Sequence, residues 1–171
     1  MLRPFELRDL EYFFAFFADA EASAHVGGPS NHEDTWRRML AGAGLWSLTG
    51  IGMWAIARRE DDRAVGHGGF FDFLRACEPS LGGQVEMGWI LAPEAQGQGL
   101  AREACIAMLD WFGREFDPHD IWALISPGNE PSMKLARTLG FEQQADGLYR
   151  DQPQTYWLLP AATTAAAAAT A

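Results

Sequence analysis

The apolar residues of the chain follow two periodicities, and the switches between them mark out its elements. After a short strand in "LRPFE", Leu10, Phe13, Phe14 and Phe17 recur at helical spacing from Asp9 onward. Gly27, Gly28 and Pro29 are expected to stop that helix. "SNHEDTWRRMLAGAG" predicts a second helix, with Ser30 or Asn31 as N-cap, acids in its first turn and arginines later, as the helix dipole favours. The period then drops to two. "GMWAIARRE" reads as a strand with Met53, Ala55 and Ala57 on one face and Trp54 and Ile56 on the other, and "DDR" turns it into "AVGHGGFFDFL" to close a hairpin. "SLGG" turns again into "QVEMGWILA", where Val85, Met87, Trp89 and Leu91 alternate with Glu86, Gly88 and Ile90.

A helical stripe returns at Leu100, Ala104, Met108 and Trp111, flanked by Ala101, Cys105 and Phe112. "DIWALIS" is a further strand. "GNEPSMKLARTLGF" is a short helix between Asn129 near its N-cap and Gly140 as C-cap, and two last strands fall near 141–144 and 154–159. The order is strand, two helices, three strands, helix, strand, helix, two strands. This is a mixed α/β chain with a largely antiparallel front, in which a helical crossover makes the fourth and fifth strands parallel. Residues 1–160 read as one domain. Residues 161–171, "AATTAAAAATA" up to the last alanine, form a low-complexity tail that is helix-prone by propensity.

Composition narrows the function classes. A length of 171 residues with 48% hydrophobic content suits one domain with a substantial core. No apolar run is long enough to span a bilayer, and "YFFAFFADA", preceded by Asp9 rather than a basic cluster, reads as a packing face and not a signal peptide. Cys77 and Cys105 form no CxxC pair, which points to reduced thiols and a cytoplasmic protein. The net charge of −10 argues against a nucleic-acid partner and is compatible with a cationic substrate such as an amine, or with plain solubility. No histidine pair has metal-ligand spacing with a carboxylate, so no metal is expected.

The segment that carries chemistry is Gln96-Gly97-Gln98-Gly99-Leu100-Ala101, between a strand and a helix. Two glycines are a costly helix entrance unless bare backbone is needed there. Exposed N–H groups at a helix start form an anion site, and small residues let a phosphate approach them. The Rossmann pattern fails, since Arg102 stands where the third glycine would, and no GK[ST] follows for a P-loop.

With its strand "EMGWILAPEA", this loop resembles the acetyl-CoA loop of the GNAT N-acetyltransferase superfamily: Gln96, Gly99 and Ala101 fill the defining positions of [Q/R]xxGx[G/A]. "NEPSMKLARTLGFE" resembles the superfamily's N-x-x-S/A…LGF segment. "LRPFELRDLEYFFAFFADAE…VGGP" is similar to the start of the ribosomal-protein N-acetyltransferase-like (RimJ/RimL-type) branch. The resemblance covers about 2–159. It implies a GNAT-like α+β domain, a sheet of six to seven strands with the parallel strands 4 and 5 splayed, and about four flanking helices. It implies acetyl transfer from acetyl-CoA, without a metal, to the amine of a small molecule or a protein N-terminus, by a monomer or homodimer.

On the same resemblance, the backbone at Ile90 and Leu91 pairs with the pantetheine arm. Gln96, Gly97, Gln98, Gly99, Leu100 and Ala101 form the coenzyme-binding loop, the N–H groups from Gln98 to Ala101 hold the pyrophosphate, and Asn129 bonds the arm or supports the strands. Glu86 matches the glutamate of the family's strand and is the candidate base for the attacking amine; its alternative is a structurally bonded strand glutamate. Many relatives carry a tyrosine where Ala136 stands here, so the usual acid is missing. Ser132 is the candidate replacement, its alternative being a first-turn serine that satisfies backbone groups. Tyr149 and Asp151 are weaker candidates to face the acceptor. His67 and the tryptophans 36, 46 and 54 read first as packing residues. Two rival functions stand beside the transferase: a non-catalytic acetyl-CoA-binding or sensing domain, and an unrelated nucleotide-phosphate binder.

Overall fold

The computed structural model describes residues 1–163. In chain order its main elements are β1 (Leu2–Arg3), α1 (Leu10–Ala18), α2 (Ala20–Ser23), α3 (His32–Thr49), β2 (Met53–Ala57), β3 (Ala64–Phe71), β4 (Cys77–Glu78), β5 (Val85–Leu91), α4 (Leu100–Glu115), β6 (Ile121–Ile125), α5 (Glu130–Leu139), β7 (Glu142–Tyr149) and β8 (Gln152–Leu159). The strand order is β1-β2-β3-β5-β6-β8-β7-β4, a mixed, mostly antiparallel eight-stranded sheet with helices in the crossovers. The expected tail lies outside the described residues from Thr164 onward. The chain divides into two compact units, Met1–Phe71 with Trp89–Ala104, and Asp72–Gly88 with Cys105–Ala171, so β5 contributes to both.

In the first unit β2 and β3 form the predicted antiparallel hairpin, and β1 adds to β2 through Leu2↔Ile56 and Arg3↔Ala55. Helix α1 is shorter than its periodicity predicts. At Asp19 the backbone turns extended, and the Asp19 carboxylate accepts the N–H groups of Glu21 and Ala22, so the chain restarts as α2 well before Gly27. The buried stripe of α1 is Tyr12, Phe13, Phe16 and Phe17. Phe14 is not in it; its ring stacks on His32 at 4.1 Å. Asn31, of the two expected N-caps, caps α3 by accepting the Asp34 N–H at 2.9 Å. His67 is buried in this aromatic cluster, stacked on Phe13 at 4.7 Å, with Nδ1 3.0 Å from the Tyr12 hydroxyl. Trp46 and Trp54 pack edge to face at 4.5 Å, and the Trp46 indole N–H donates to the Met53 carbonyl, which makes them packing residues.

In the second unit β5 and β6 pair in parallel, as the crossover requires, through Val85↔Ile121 and Glu86↔Trp122. Helix α4 buries Ala104, Cys105, Met108 and Phe112, while Trp111 stays half-buried. Strands β7 and β8 run longer than expected and join in a tight hairpin, with Arg150 and Asp151 both at positive φ. The pattern did not reveal β4, whose two residues pair with Tyr149 and Leu148 of β7. Both cysteines are free and buried, as expected of reduced thiols. Among the described residues no group of His, Cys, Asp and Glu could hold a metal ion, and no helix is long and apolar enough to cross a membrane.

Candidate functional site

The first unit carries the glycine loop. Strand β5 ends at Leu91, where β3 covers one edge: the Ala92 N–H donates to the Val65 carbonyl at 2.8 Å. A side chain at Gly66 would fall 2.5 Å from the Ile90 carbonyl oxygen, so only glycine lets the strands approach this closely. A 3₁₀ turn at Pro93–Ala95 follows. The Gln96 side chain then reaches back to donate to the Leu91 carbonyl at 3.1 Å, and Gln98 donates to the Glu94 carbonyl at 2.9 Å. These two amides tie the loop to its own strand end.

Gly97 and Gly99 have φ of +72° and +78°, in the left-handed region that costs other residues about 1–2 kcal/mol. A Cβ at either position would meet no heavy atom within 4 Å. The requirement for glycine is therefore conformational, and the space above both residues is open. The first backbone bond of α4 runs from the Glu103 N–H to the Gly99 carbonyl, 3.1 Å. The N–H groups of Leu100, Ala101 and Arg102 accordingly have no acceptor within the helix. The strand end, the bare turn and the start of α4 make a short cradle of backbone donors with the positive end of a helix dipole behind it, a shape that fits a pyrophosphate.

The second unit carries Glu86, Asn129 and Ser132. Glu86 is in β5, opposite Trp122, and its side chain is 3% exposed. It forms an ion pair with Arg75, whose Nε lies 3.4 Å from Glu86 Oε1. Burial pushes the Glu86 carboxyl above the usual carboxylate range; the Arg75 charge opposes this and Asp72 adds to it. The segment that brings Arg75 in is pinned at several points. The Asp72 carboxylate accepts the Leu74 N–H at 2.8 Å and the Gly83 N–H at 3.1 Å, and the Tyr156 hydroxyl donates to the Pro79 carbonyl at 3.0 Å. Beside this segment a cavity of about 410 Å³ is lined by Ser80, Gln84, Asp120, Trp122 and Tyr156 among others.

Asn129 is the N-cap of α5, its side-chain oxygen accepting the Ser132 N–H at 3.2 Å. That bond joins two of the expected site residues and engages the backbone of Ser132, not its hydroxyl. Ala136 is fully buried and brings no hydroxyl where relatives carry tyrosine. The Tyr149 ring is flanked by the guanidinium groups of Arg75 at 5.0 Å and Arg150 at 5.2 Å. Sequence reasoning missed Arg75. A single arginine in "DFLRACEPS" carries no local signal, since its partner is a strand residue eleven positions on.

The family model described as acetyltransferase (GNAT) domain matches residues 1–142. The chain belongs to the GNAT acetyltransferase family. The chemistry of that family, acetyl-CoA-dependent acyl transfer to an amine, is thus the chemistry of this chain. Among relatives of this GNAT protein is uncharacterized N-acetyltransferase p20 of Bacillus licheniformis, 29% identical over 152 residues, which are 88% of this chain and 82% of that one. The structure of a putative GnaT-family acetyltransferase from Bordetella pertussis is 26% identical, with a TM-score of 0.79 over 92% of this chain and 93% of that one. Spermidine N-acetyltransferase from Vibrio cholerae, solved with CoA and spermine, shares the GNAT fold with a TM-score of 0.74 at 17% identity over 96% of each chain.

Proposed function

We propose that this GNAT chain is an N-acetyltransferase of the RimJ/RimL-type branch, one domain over 1–160, acting on a primary amine of a small molecule or a protein N-terminus. Transfer is direct, within a ternary complex, and takes place in the cytoplasm, the enzyme being a monomer or homodimer. The observation that carries this reading is the open cradle at Gly97, Gly99 and the start of α4. It supports binding of the acetyl-CoA pyrophosphate by the backbone from Gln96 to Ala101, with Ile90 and Leu91 along the pantetheine arm. The Asn129 amide bonds that arm while its oxygen caps α5.

Acetyl-CoA supplies the activated acyl group. The residues of the chain handle protons and orientation. An amine is mostly protonated near neutral pH and attacks only as the free base. Glu86 takes its proton, directly or through water, and the raised carboxyl pKa matches that task better than a solvent-exposed glutamate would. A backbone N–H at the end of β5 stabilises the oxyanion, and the Ser132 hydroxyl relays a proton to the departing thiolate while taking one from solvent.

A second reading, a non-catalytic acetyl-CoA binder or sensor, is favoured by one observation: buried Ala136 replaces the usual tyrosine acid. Thiol release from acetyl-CoA, measured against polyamines, amino acids, aminoglycosides and peptides with free N-termini, separates the two. The transferase reading expects amine-dependent release. Binding of acetyl-CoA with no release above the amine-free rate on any of them would establish the binder.

A further inference from the structure

Arg75 has no part in the chemistry described so far, yet it is placed as if built for Glu86. It stands in the segment between β3 and β4, and its side chain is mostly buried. Its guanidinium packs against two rings, 5.0 Å from the centroid of Tyr149 and 5.9 Å from that of Phe73. Cation–π contacts with two rings restrict where an arginine side chain can lie while leaving N–H groups to meet a carboxylate. That carboxylate is Glu86, with Nε 3.4 Å from Oε1. Asp72 closes the segment by accepting N–H groups from Leu74 and Gly83, which fixes where residue 75 lies.

A buried carboxylate with no partner is expensive, and a counter-charge held rigidly at this range offsets much of that cost. Among the described residues, the charged and titratable groups that act on Glu86 are Arg75 and Asp72 from the segment after β3, and Tyr156 from β8. Burial holds the Tyr156 phenol above its usual range, so it stays neutral, and Asp72 repels. Arg75 is the group of the three that favours a negative Glu86.

We propose that Arg75 is the positioning residue of the reaction: a counter-charge held between two rings that orients the Glu86 carboxylate and keeps it ionised between turnovers. This rests on the reading of Glu86 as the base. Arg75 touches neither substrate in this role; it acts through Glu86. Each turnover delivers a proton to Glu86, and the guanidinium speeds its return to solvent by favouring the carboxylate.

The test has one readout that needs no acceptor. Carbon-13 NMR of the glutamate side-chain carboxyls, with Glu86→Gln to assign the Glu86 signal, gives its titration midpoint in the intact protein. In Arg75→Met and Arg75→Gln the midpoint is expected to rise by about one pH unit, and Arg75→Lys is expected to restore most of the shift. An unchanged midpoint in both neutral variants overturns the proposal. The acid limb of thiol release is then followed with spermidine or a free N-terminal peptide, whichever the wild type turns over. It is expected to move upward by the same amount, with kcat reduced below that limb and KM for acetyl-CoA unchanged. A shifted NMR midpoint with an unmoved acid limb also overturns it. Glu86→Gln with full turnover would instead remove Glu86 as the base, and that outcome is read from a different variant.

Discussion

The proposed cradle rests on two glycines that answer a backbone demand most other residues meet only at a cost. Gly97 and Gly99 sit at positive φ with open space above them, so the conformation requires glycine and the ligand side stays clear. A Cβ at Gly99 would meet no heavy atom within 4 Å, so Gly99→Asp is expected to fold, at a stability cost of about 1–2 kcal/mol or less, aspartate being among the residues most tolerant of this conformation. It places a negative charge at the proposed pyrophosphate position, and acetyl-CoA affinity is expected to fall about tenfold or more, about 1.4 kcal/mol, by calorimetry. Glu86 was legible as a strand glutamate in the right motif. Its 3% exposure and its arginine were not, because both depend on a segment that folds over β5 from elsewhere in the sequence. Glu86→Gln is expected to lower kcat about a hundredfold or more with coenzyme affinity unchanged. The wild-type rate should fall as pH drops through the raised Glu86 pKa, above the range of an ordinary carboxylate, and the variant should lose this acid limb.

At the scale of elements, long periodic segments were readable and short or locally capped ones were not. Helices α4 and α5 and strands β2, β3, β5, β6 and β8 stand where their periods put them. Strand β4 has two residues, too few to show alternation, and is held by pairing to β7. Helix α1 ends early because the Asp19 side chain offers its backbone a better terminus than the apolar pattern could foretell. In α5 one side chain has two tasks. Asn129 caps the helix, so Asn129→Ala is expected to cost about 1 kcal/mol in urea unfolding. Its proposed bond to the pantetheine arm predicts weaker acetyl-CoA binding in the same variant. Stability loss with unchanged affinity would leave it a cap alone.

For the molecule as a whole, the core of the first unit sets a pH limit on stability. Burial, with the Arg38 charge adding to it, pushes the His67 pKa down to about 3 from 6.5. Above pH 6.5 His67 is neutral in both folded and unfolded chains and its contribution is fully present. As pH falls below 6.5 the unfolded chain takes up a proton that the folded chain refuses, and stability drops by about 1.4 kcal/mol per pH unit until the folded value near 3 is reached. At pH 5 this amounts to about 2 kcal/mol. His67→Phe should remove that part of the dependence in urea titrations at pH 7.5 and 5, and an unaltered slope in the variant would contradict it. The overall α/β order was legible because the crossover from β5 to β6 must carry a helix, whereas the acceptor was not, because neither the first two helices nor the final strands carry a motif with a chemical meaning.

The central claim is that the backbone from Gln96 to Ala101 holds the pyrophosphate of acetyl-CoA. Titration calorimetry of the full chain with acetyl-CoA and, separately, with ATP tests it most directly. Saturable binding of acetyl-CoA that Gly99→Asp weakens, with ATP binding far more weakly, is the predicted result. Binding of ATP in preference to acetyl-CoA, or an affinity for acetyl-CoA that Gly99→Asp leaves unchanged, would contradict it.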